Sequence, residues 1–216
     1  MHLSPPAEDQ PGIPIDTNDP AHIEHATECL ISDVQSVVAR FGADRVIVEN
    51  DHDNGGLHLR PAYLPEVINR VVAATGCSFL LDLAHVRLAA QALDVDPYAY
   101  LGALPVKQLR EMHVSGVQPF GERFVSMLDR GGIPSTVMQR YVGRLMDHLP
   151  MTDLDWYFTT WALDQVREGE WGRPWAIAFE YGGVGPLWEA VTEEGVVAEQ
   201  VPRLYQLVRD ALPMKM

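Results

Sequence analysis

The chain has 216 residues, 47% of them hydrophobic and 21% charged, with a formal net charge of -14 at pH 7. The apolar share excludes a disordered chain and is enough for one full core; the acidic excess excludes non-specific binding to nucleic acid or to an anionic membrane surface. The two cysteines, Cys29 and Cys77, stand outside any Cys-x-x-Cys pair, which argues against a zinc knuckle or a dithiol redox motif and for a reducing, cytoplasmic setting.

Met1 to Pro20 is polar and proline-rich, with neither a basic nor an apolar region, so it reads as an extended loop after a very short strand at Met1-His2-Leu3 and not as a signal peptide. No apolar run approaches the length of a membrane span. Asp19 is a plausible N-cap with Pro20 at the first helical position, and Ile23, Leu30, Ile31, Val34, Val37 and Val38 recur at helical spacing to about Arg40. Gly42 ends that helix. Arg45 to Glu49 is a strand, and the loop from Asn50 to Arg60 is rich in Asn, Asp, Gly and His. Leu64 to Ala74 is a helix closed by Gly76, Ser78 to Leu83 a strand, Ala84 to Leu93 a helix and Pro97 to Leu104 a short one. Val106 to Val114 contains the next strand. Ser115 to Ile133 reads as loop, Ser135 to Met146 as helix, Asp147 to Thr152 as a break and Leu154 to Glu168 as helix. Trp175 to Glu180 is a strand followed by a Gly-rich turn, Tyr181 to Gly185, and the last helix covers Val196 to Leu212. Apolar strands alternating with helices mean an α/β fold with a parallel sheet covered by helices. Without a repeat, linker or low-complexity tract, residues 1–216 read as one domain.

Four strands end in a residue fit for metal binding or acid/base work: Glu49, Asp82 with His85 three residues later, His113, and Glu180. In a parallel α/β sheet the C-terminal strand ends share one face, where active sites lie. For Asp82 a second reading stands beside this one, as the cap of the following helix with His85 packed on it. A charge buried at a strand end is costly unless paired or metal-bound, so the pattern of four such ends favours a metal site. Carboxylate and imidazole without thiolate suit iron(II), manganese or zinc. Further candidates are the adjacent Asp147 and His148, with a turn as the plain alternative for Asp147, and His2. Asn50 is placed to orient a ligand. His22 and His25 read as surface residues; His52 and His58 are within reach of a substrate, although solvent is the simpler reading. The Tyr181-Gly182 turn allows a close backbone approach to a ligand. No dinucleotide, Walker or nucleophile-elbow motif competes.

Val-Ile-Val-Glu-Asn (46–50), Phe-Leu-Leu-Asp-Leu-Ala-His (79–85), Asp-Pro-Tyr-Ala-Tyr-Leu-Gly-Ala-Leu-Pro (96–105), Arg-Glu-Met-His-Val-Ser-Gly (110–116) and Phe-Glu-Tyr-Gly-Gly-Val-Gly (179–185) occur in this order. Together they resemble the multinuclear non-haem iron-dependent oxidases of the xylose-isomerase-like TIM-barrel superfamily. The Glu-Gln-Val-Pro-Arg-Leu run (199–204) is similar to the family as well. The resemblance implies a TIM-type β/α barrel with two or three irons, acting with O2 on a residue, often cysteine, of a ribosomally made precursor peptide. It also implies a partner protein that binds the leader peptide. By the same resemblance Glu49 bridges irons, and Asp82, His113, Asp147, His148 and Glu180 are ligands; His85 stands where members often have Asn. Met1-His2-Leu3-Ser is similar to a segment that members carry after two earlier strands, so the expected fold is a barrel short of its first two strands, with sheet edges that a homo-oligomer contact could cover.

The candidates therefore divide into three sets. Glu49, Asp82 and His113 are the catalytic set; Glu49, Asp82, His85, His113, Asp147, His148, Glu180 and His2 the metal set; and Asn50, His52, Tyr181 and Gly182 the substrate set. Two other readings remain beside the peptide oxidase. One is a divalent-metal sugar isomerase or hydrolase of the same superfamily, disfavoured because neither Lys107 nor Lys215 sits at a strand's C-terminal end. The other is a non-catalytic metal-binding homologue.

Overall fold

The computed structural model of the protein describes residues 1–3, 12–53 and 55–212. Most of the proline-rich loop expected before Pro20, residues 4–11, lies outside them. In chain order the elements are α1 (Pro20–Phe41), β1 (Ile47–Glu49), α2 (Pro65–Thr75), β2 (Ser78–Asp82), α3 (Leu83–Leu93), α4 (Pro97–Gly102), β3 (Leu109–Val114), β4 (Gly116–Pro119), α5 (Glu122–Arg130), α6 (Ser135–Met138), β5 (Leu145–Leu149), α7 (Asp153–Arg167), β6 (Ala176–Phe179), α8 (Pro186–Val191) and α9 (Glu194–Ala211). The chain divides into two compact units, Met1–Met112 with Trp171–Ile177, and His113–Glu170 with Ala178–Met216.

In the first unit, the helix boundaries come from local chemistry. Asp19 accepts the Ala21 N–H at 2.8 Å and Pro20 fills a position whose N–H would lack a helical partner, which starts α1. Gly76, with φ 67°, ends α2 in the left-handed region that glycine enters without strain. β1 and β2 pair in parallel, Ile47 opposite Ser78, Val48 opposite Phe79 and Glu49 opposite Leu80. The strand expected at Met1–Leu3 is present as a single parallel bridge, His2 to Glu49, with the Glu49 N–H donating to the Met1 carbonyl at 3.0 Å and the Leu3 N–H to the Glu49 carbonyl at 3.3 Å.

The sheet order is β1-β2-β3-β6. Residues 171–177 run along β3, the Gly172 N–H donating to Val106 O and the Trp175 N–H to Arg110 O, each at 2.8 Å. Val48, Phe79, Leu81, Leu109 and Met112 on these strands are fully buried, each contributing about 1.5–3 kcal/mol. That burial explains the near-continuous apolar run of β2, whereas β3 alternates more and buries Leu109, Met112 and Val114. Four parallel strands alternating with flanking helices form the pattern of a partial TIM-type β/α barrel. No helix among the described residues is long and apolar enough to cross a membrane.

The second unit departs most from the sequence-based expectations. The loop expected over Ser115–Ile133 holds β4 and α5, and the helix expected over Ser135–Met146 stops at Met138. The chain then forms β5, antiparallel to β4, so Asp147 and His148 lie on a strand and not at a helix break. The pair needs Gly116, where a Cβ would fall 1.9 Å from the Pro150 carbonyl oxygen. Phe120, Phe124, Met127, Leu128, Met146, Leu149 and Val191 form the core of this part. Val191 comes from α8, which begins directly after the Gly-rich turn of residues 181–185, where the sequence reading assigns no element. α7 starts with a capping box between Thr152 and Asp155. Gln200 of α9 accepts the Met151 N–H at 2.8 Å and donates to the Met151 carbonyl at 3.0 Å, fastening the helix to the chain after β5.

Candidate metal centre

The C-terminal ends of β1 and β2 bury an unusual amount of charge: Glu49, Asp51 and Asp82 are 4%, 2% and 1% exposed, beside a fully buried Asn50. Asn50 holds the two strand ends together as a backbone pair would. Its side-chain amide donates to the Asp82 carbonyl at 3.0 Å, and its side-chain oxygen accepts the Asp82 N–H at 2.9 Å. Asp82 caps α3, its Oδ1 accepting from the Ala84 and His85 N–H groups at 2.7 and 2.9 Å. Oδ2 meanwhile lies 4.0 Å from His85 Nε2. Capping and a place facing an imidazole are thus two uses of one carboxylate, not alternatives.

His85 is buried and its Nδ1 lies 2.8 Å from the Asn50 carbonyl. A carbonyl only accepts, so Nδ1 carries the proton and the lone pair of the neutral ring sits on Nε2. His2 Nε2 lies 3.2 Å from Glu49 Oε2, and His85 Nδ1 3.6 Å from Glu49 Oε1. The imidazoles stand close together: ring centroids are 5.7 Å apart for His2 and His85, 4.8 Å for His52 and His85, and 6.4 Å for His52 and His58.

Asp51 and His58 belong to this group, although the polar loop that carries them reads as solvent-facing. His58 Nδ1 lies 2.7 Å from Asp51 Oδ2 and 3.1 Å from the His52 carbonyl. Burial disfavours the Asp51 carboxylate, but the hydrogen bond and charge of His58 outweigh it and hold the acid below the usual carboxylate range. Burial likewise opposes the His58 imidazolium, and Asp51 outweighs it and raises the His58 pKa above the usual histidine value. The overlooked signal is spacing: Asp51 comes two residues after Glu49, the period that returns a side chain to the same face of an extended chain. His2, Asp51 and His85 each offer a donor atom, all within 4.8 Å of one another.

In the second unit, His113 Nδ1 lies 2.9 Å from Glu180 Oε2, while the Glu180 N–H donates to Val114 O at 2.9 Å. His148 has φ 54°, and its N–H donates to Ser115 Oγ at 3.2 Å. The Gly182 N–H donates to the His148 carbonyl at 2.8 Å. Asp147 Oδ2 is 3.8 Å from His148 Nε2, whose ring stands 5.5 Å from that of Trp188. The Tyr181 hydroxyl accepts the Glu193 N–H at 2.8 Å, and a Cβ at Gly182 would fall 2.6 Å from Thr192 Oγ1. This turn is therefore packed closely by its own neighbours from α8 to the start of α9. Cys77 sits ahead of β2, at the opposite end from Asp82, and burial pushes its thiol up, as expected of an inert thiol and not a thiolate ligand.

A family model described as "RiPP precursor modification enzyme MbnB/TglH/ChrH" matches residues 20–135, which carry α1 through β4, α5 and the start of α6. Among curated relatives, a UPF0276 protein of Anaeromyxobacter sp. (strain Fw109-5) is 30% identical over 112 residues, 50% of this chain and 36% of the relative. A UPF0276 protein of Caulobacter vibrioides (strain NA1000 / CB15N) is 34% identical over 92 residues, 42% of this chain and 32% of the relative. One from Paraburkholderia phytofirmans (strain DSM 17436 / LMG 22146 / PsJN) is 34% identical over 96 residues, 44% of this chain and 30% of the relative. The matches thus span about a third of the length of these relatives. Since the family model covers more than half of the residues, the chain belongs to the MbnB/TglH/ChrH family of RiPP precursor modification enzymes.

Proposed function

We propose that the protein is a multinuclear non-haem iron-dependent oxidase that modifies a ribosomally made precursor peptide with O2, with a peptide cysteine as the reacting residue. The observation that supports this most is the strand order. In β1-β2-β3-β6, Glu49 closes the first strand, Asp82 the second, His113 lies one residue from the end of the third and Glu180 comes directly after the fourth. Within the first unit the parallel pairing of β1 and β2 sets Glu49 and Asp82 at neighbouring strand ends, and within the second His113 Nδ1 and Glu180 Oε2 stand 2.9 Å apart, so each unit supplies oxygen or nitrogen donors at strand ends. The donor chemistry fits iron(II), with manganese and zinc suited to the same atoms. Burial of Glu49 and Asp82 also fits, because a cation offsets the cost of carboxylates removed from water.

In this reading Glu49, Asp82, His113 and Glu180 hold the metal ions with Asp147, His148, His85 and His2, and Glu49, Asp82 and His113 lie closest to the chemistry. Bound iron would supply a redox-active Lewis acid for O2 and the substrate thiolate. The chain's own part is positioning. Asn50 locks the Asp82 backbone, Asp82 Oδ1 is fixed by two α3 amides, and the Asn50 carbonyl fixes the His85 tautomer. Glu180 Oε2, 2.9 Å from His113 Nδ1, fixes the orientation of that ring. Asn50, His52, Tyr181 and Gly182 remain the candidates for meeting the peptide. A leader-binding partner protein, a homo-oligomer and a cytoplasmic location complete the proposal. The lysine-assisted isomerase loses further ground, since Lys107 lies in the turn before β3, at the N-terminal end of that strand.

The test is elemental analysis and Mössbauer spectroscopy on anaerobically purified protein, then O2 uptake with a cysteine-containing peptide encoded near its gene. Two or three irons per chain, with O2 consumed as the thiol disappears, is the expected result. Zinc alone, or no metal and no uptake, overturns the proposal.

A further inference from the structure

We propose that Asp51 completes a cation position with His2 and His85, a two-histidine, one-carboxylate set, and that His58 is its positioning residue. The inference rests on the metal-binding part of the proposed function and not on its redox chemistry. Three observations carry it. The donor atoms of His2, Asp51 and His85 lie within 4.8 Å of one another. Neighbouring donors around an ion with bonds of about 2.0–2.2 Å stand about 3.0–3.6 Å apart, so the three side chains close on it by rotations that move their donor atoms by roughly 1 Å. Asp51 is 2% exposed, an expensive place for a carboxylate that served only to solvate a loop. The proton of His85 is held on Nδ1 by a carbonyl, which turns the Nε2 lone pair away from its hydrogen-bonded side.

The contact with His58 does not remove Asp51 from this role, because a carboxylate has two oxygens and His58 takes one, at 2.7 Å. A ligating carboxylate is commonly oriented by such an outer partner; His58 faces Oδ2 as an ion pair, and the same Nδ1 is held in place by the His52 carbonyl at 3.1 Å. Two imidazoles and one carboxylate leave coordination positions open, which suits a divalent transition metal that must also take water, O2 or a substrate group. The polar loop after β1 therefore gains a function: it delivers one ligand and the residue that aims it.

Cobalt(II) tests this without turnover. The full chain, stripped of metal, is titrated with Co(II) and monitored by visible absorption and by equilibrium dialysis with elemental analysis. Asp51→Asn binds one Co(II) fewer per chain than the unsubstituted protein. His58→Gln keeps the number bound but weakens that one position by about 10–100-fold. Glu180→Gln leaves it in place. If Asp51→Asn fails to fold, His2→Gln serves instead, since that ring is 55% exposed and its loss leaves no buried gap; it also binds one Co(II) fewer. An unchanged Co(II) number and affinity in Asp51→Asn, or in His2→Gln where Asp51→Asn does not fold, overturns the proposal. Absence of O2 uptake overturns the oxidase reading and leaves this titration as it stands.

Discussion

The ends of β1 and β6 both place a glutamate where an apolar strand stops, yet they are built differently. After β1, Glu49, Asn50 and Asp51 are buried, and Asn50 grips the neighbouring strand end through two hydrogen bonds. After β6, the Glu180 side chain is 36% exposed, although its partner His113 is only 16% exposed. A carboxylate kept dry must be compensated by imidazoles or a cation, so the residues of the β1 end cannot change without cost to the fold. A carboxylate at the surface is screened, so the β6 end can be retuned for a ligand or substrate at little cost. The difference separates residues that build the site from residues that adjust it.

The sharpest way to break the comparison is Asn50→Ala. The Asp82 N–H and carbonyl would both lose a buried partner, and the expected loss is about 3 kcal/mol in urea unfolding of the metal-free protein. Asn50→Asp keeps the acceptor but sets a carboxylate oxygen against the Asp82 carbonyl and adds a buried charge beside Glu49 and Asp51, so it should be at least as destabilising as Asn50→Ala. A loss below about 1 kcal/mol in Asn50→Ala would mean that the β1 and β2 ends are not joined through this side chain.

Next in size is the effect of metal itself. Cation bound only by the folded chain stabilises it by about 2.7 kcal/mol at a free concentration one hundred times the dissociation constant. The expected outcome is a melting temperature that rises with added Fe(II) or Mn(II) under anaerobic conditions. Glu49→Gln should remove most of the rise by taking a charged donor from the buried end. A rise of the same size in Glu49→Gln would show that the β1 end does not hold the ion.

How far these features were legible in the sequence depends on where the physical signal lies. α1, α2 and β2 were legible because Asp19-Pro20, Gly42, Gly76 and the buried run from Phe79 to Leu81 carry their own boundaries. β5 was not. Val137, Met138, Tyr141, Val142, Leu145 and Met146 recur at helical spacing, and only Gly143, with φ 80°, marks the break before a strand. β4 is four residues containing a glycine and a proline, so its pairing with β5 is a tertiary fact. At the site, Glu49, Asp82, His113 and Glu180 stood out because a polar residue interrupts an apolar strand. Asp51 and His58 stood in a stretch already polar, where burial leaves no trace in composition, and only the two-residue spacing from Glu49 marked Asp51.

The smallest expected effect is the most discriminating. Glu180→Gln keeps an oxygen able to accept from His113 Nδ1 and removes one charge at a side chain 36% exposed. Unfolding of the chelator-treated variant in urea should therefore match the unsubstituted chain within about 0.5 kcal/mol. Its iron content, measured on the same preparation before chelation, should fall, because an amide oxygen is a weaker donor to a hard cation than a carboxylate. That split, stability kept and metal lost, is what a residue that adjusts the site predicts. A loss above about 2 kcal/mol with metal content unchanged would make Glu180 a structural partner of His113, and the β6 end would then be built on the same principle as the β1 end.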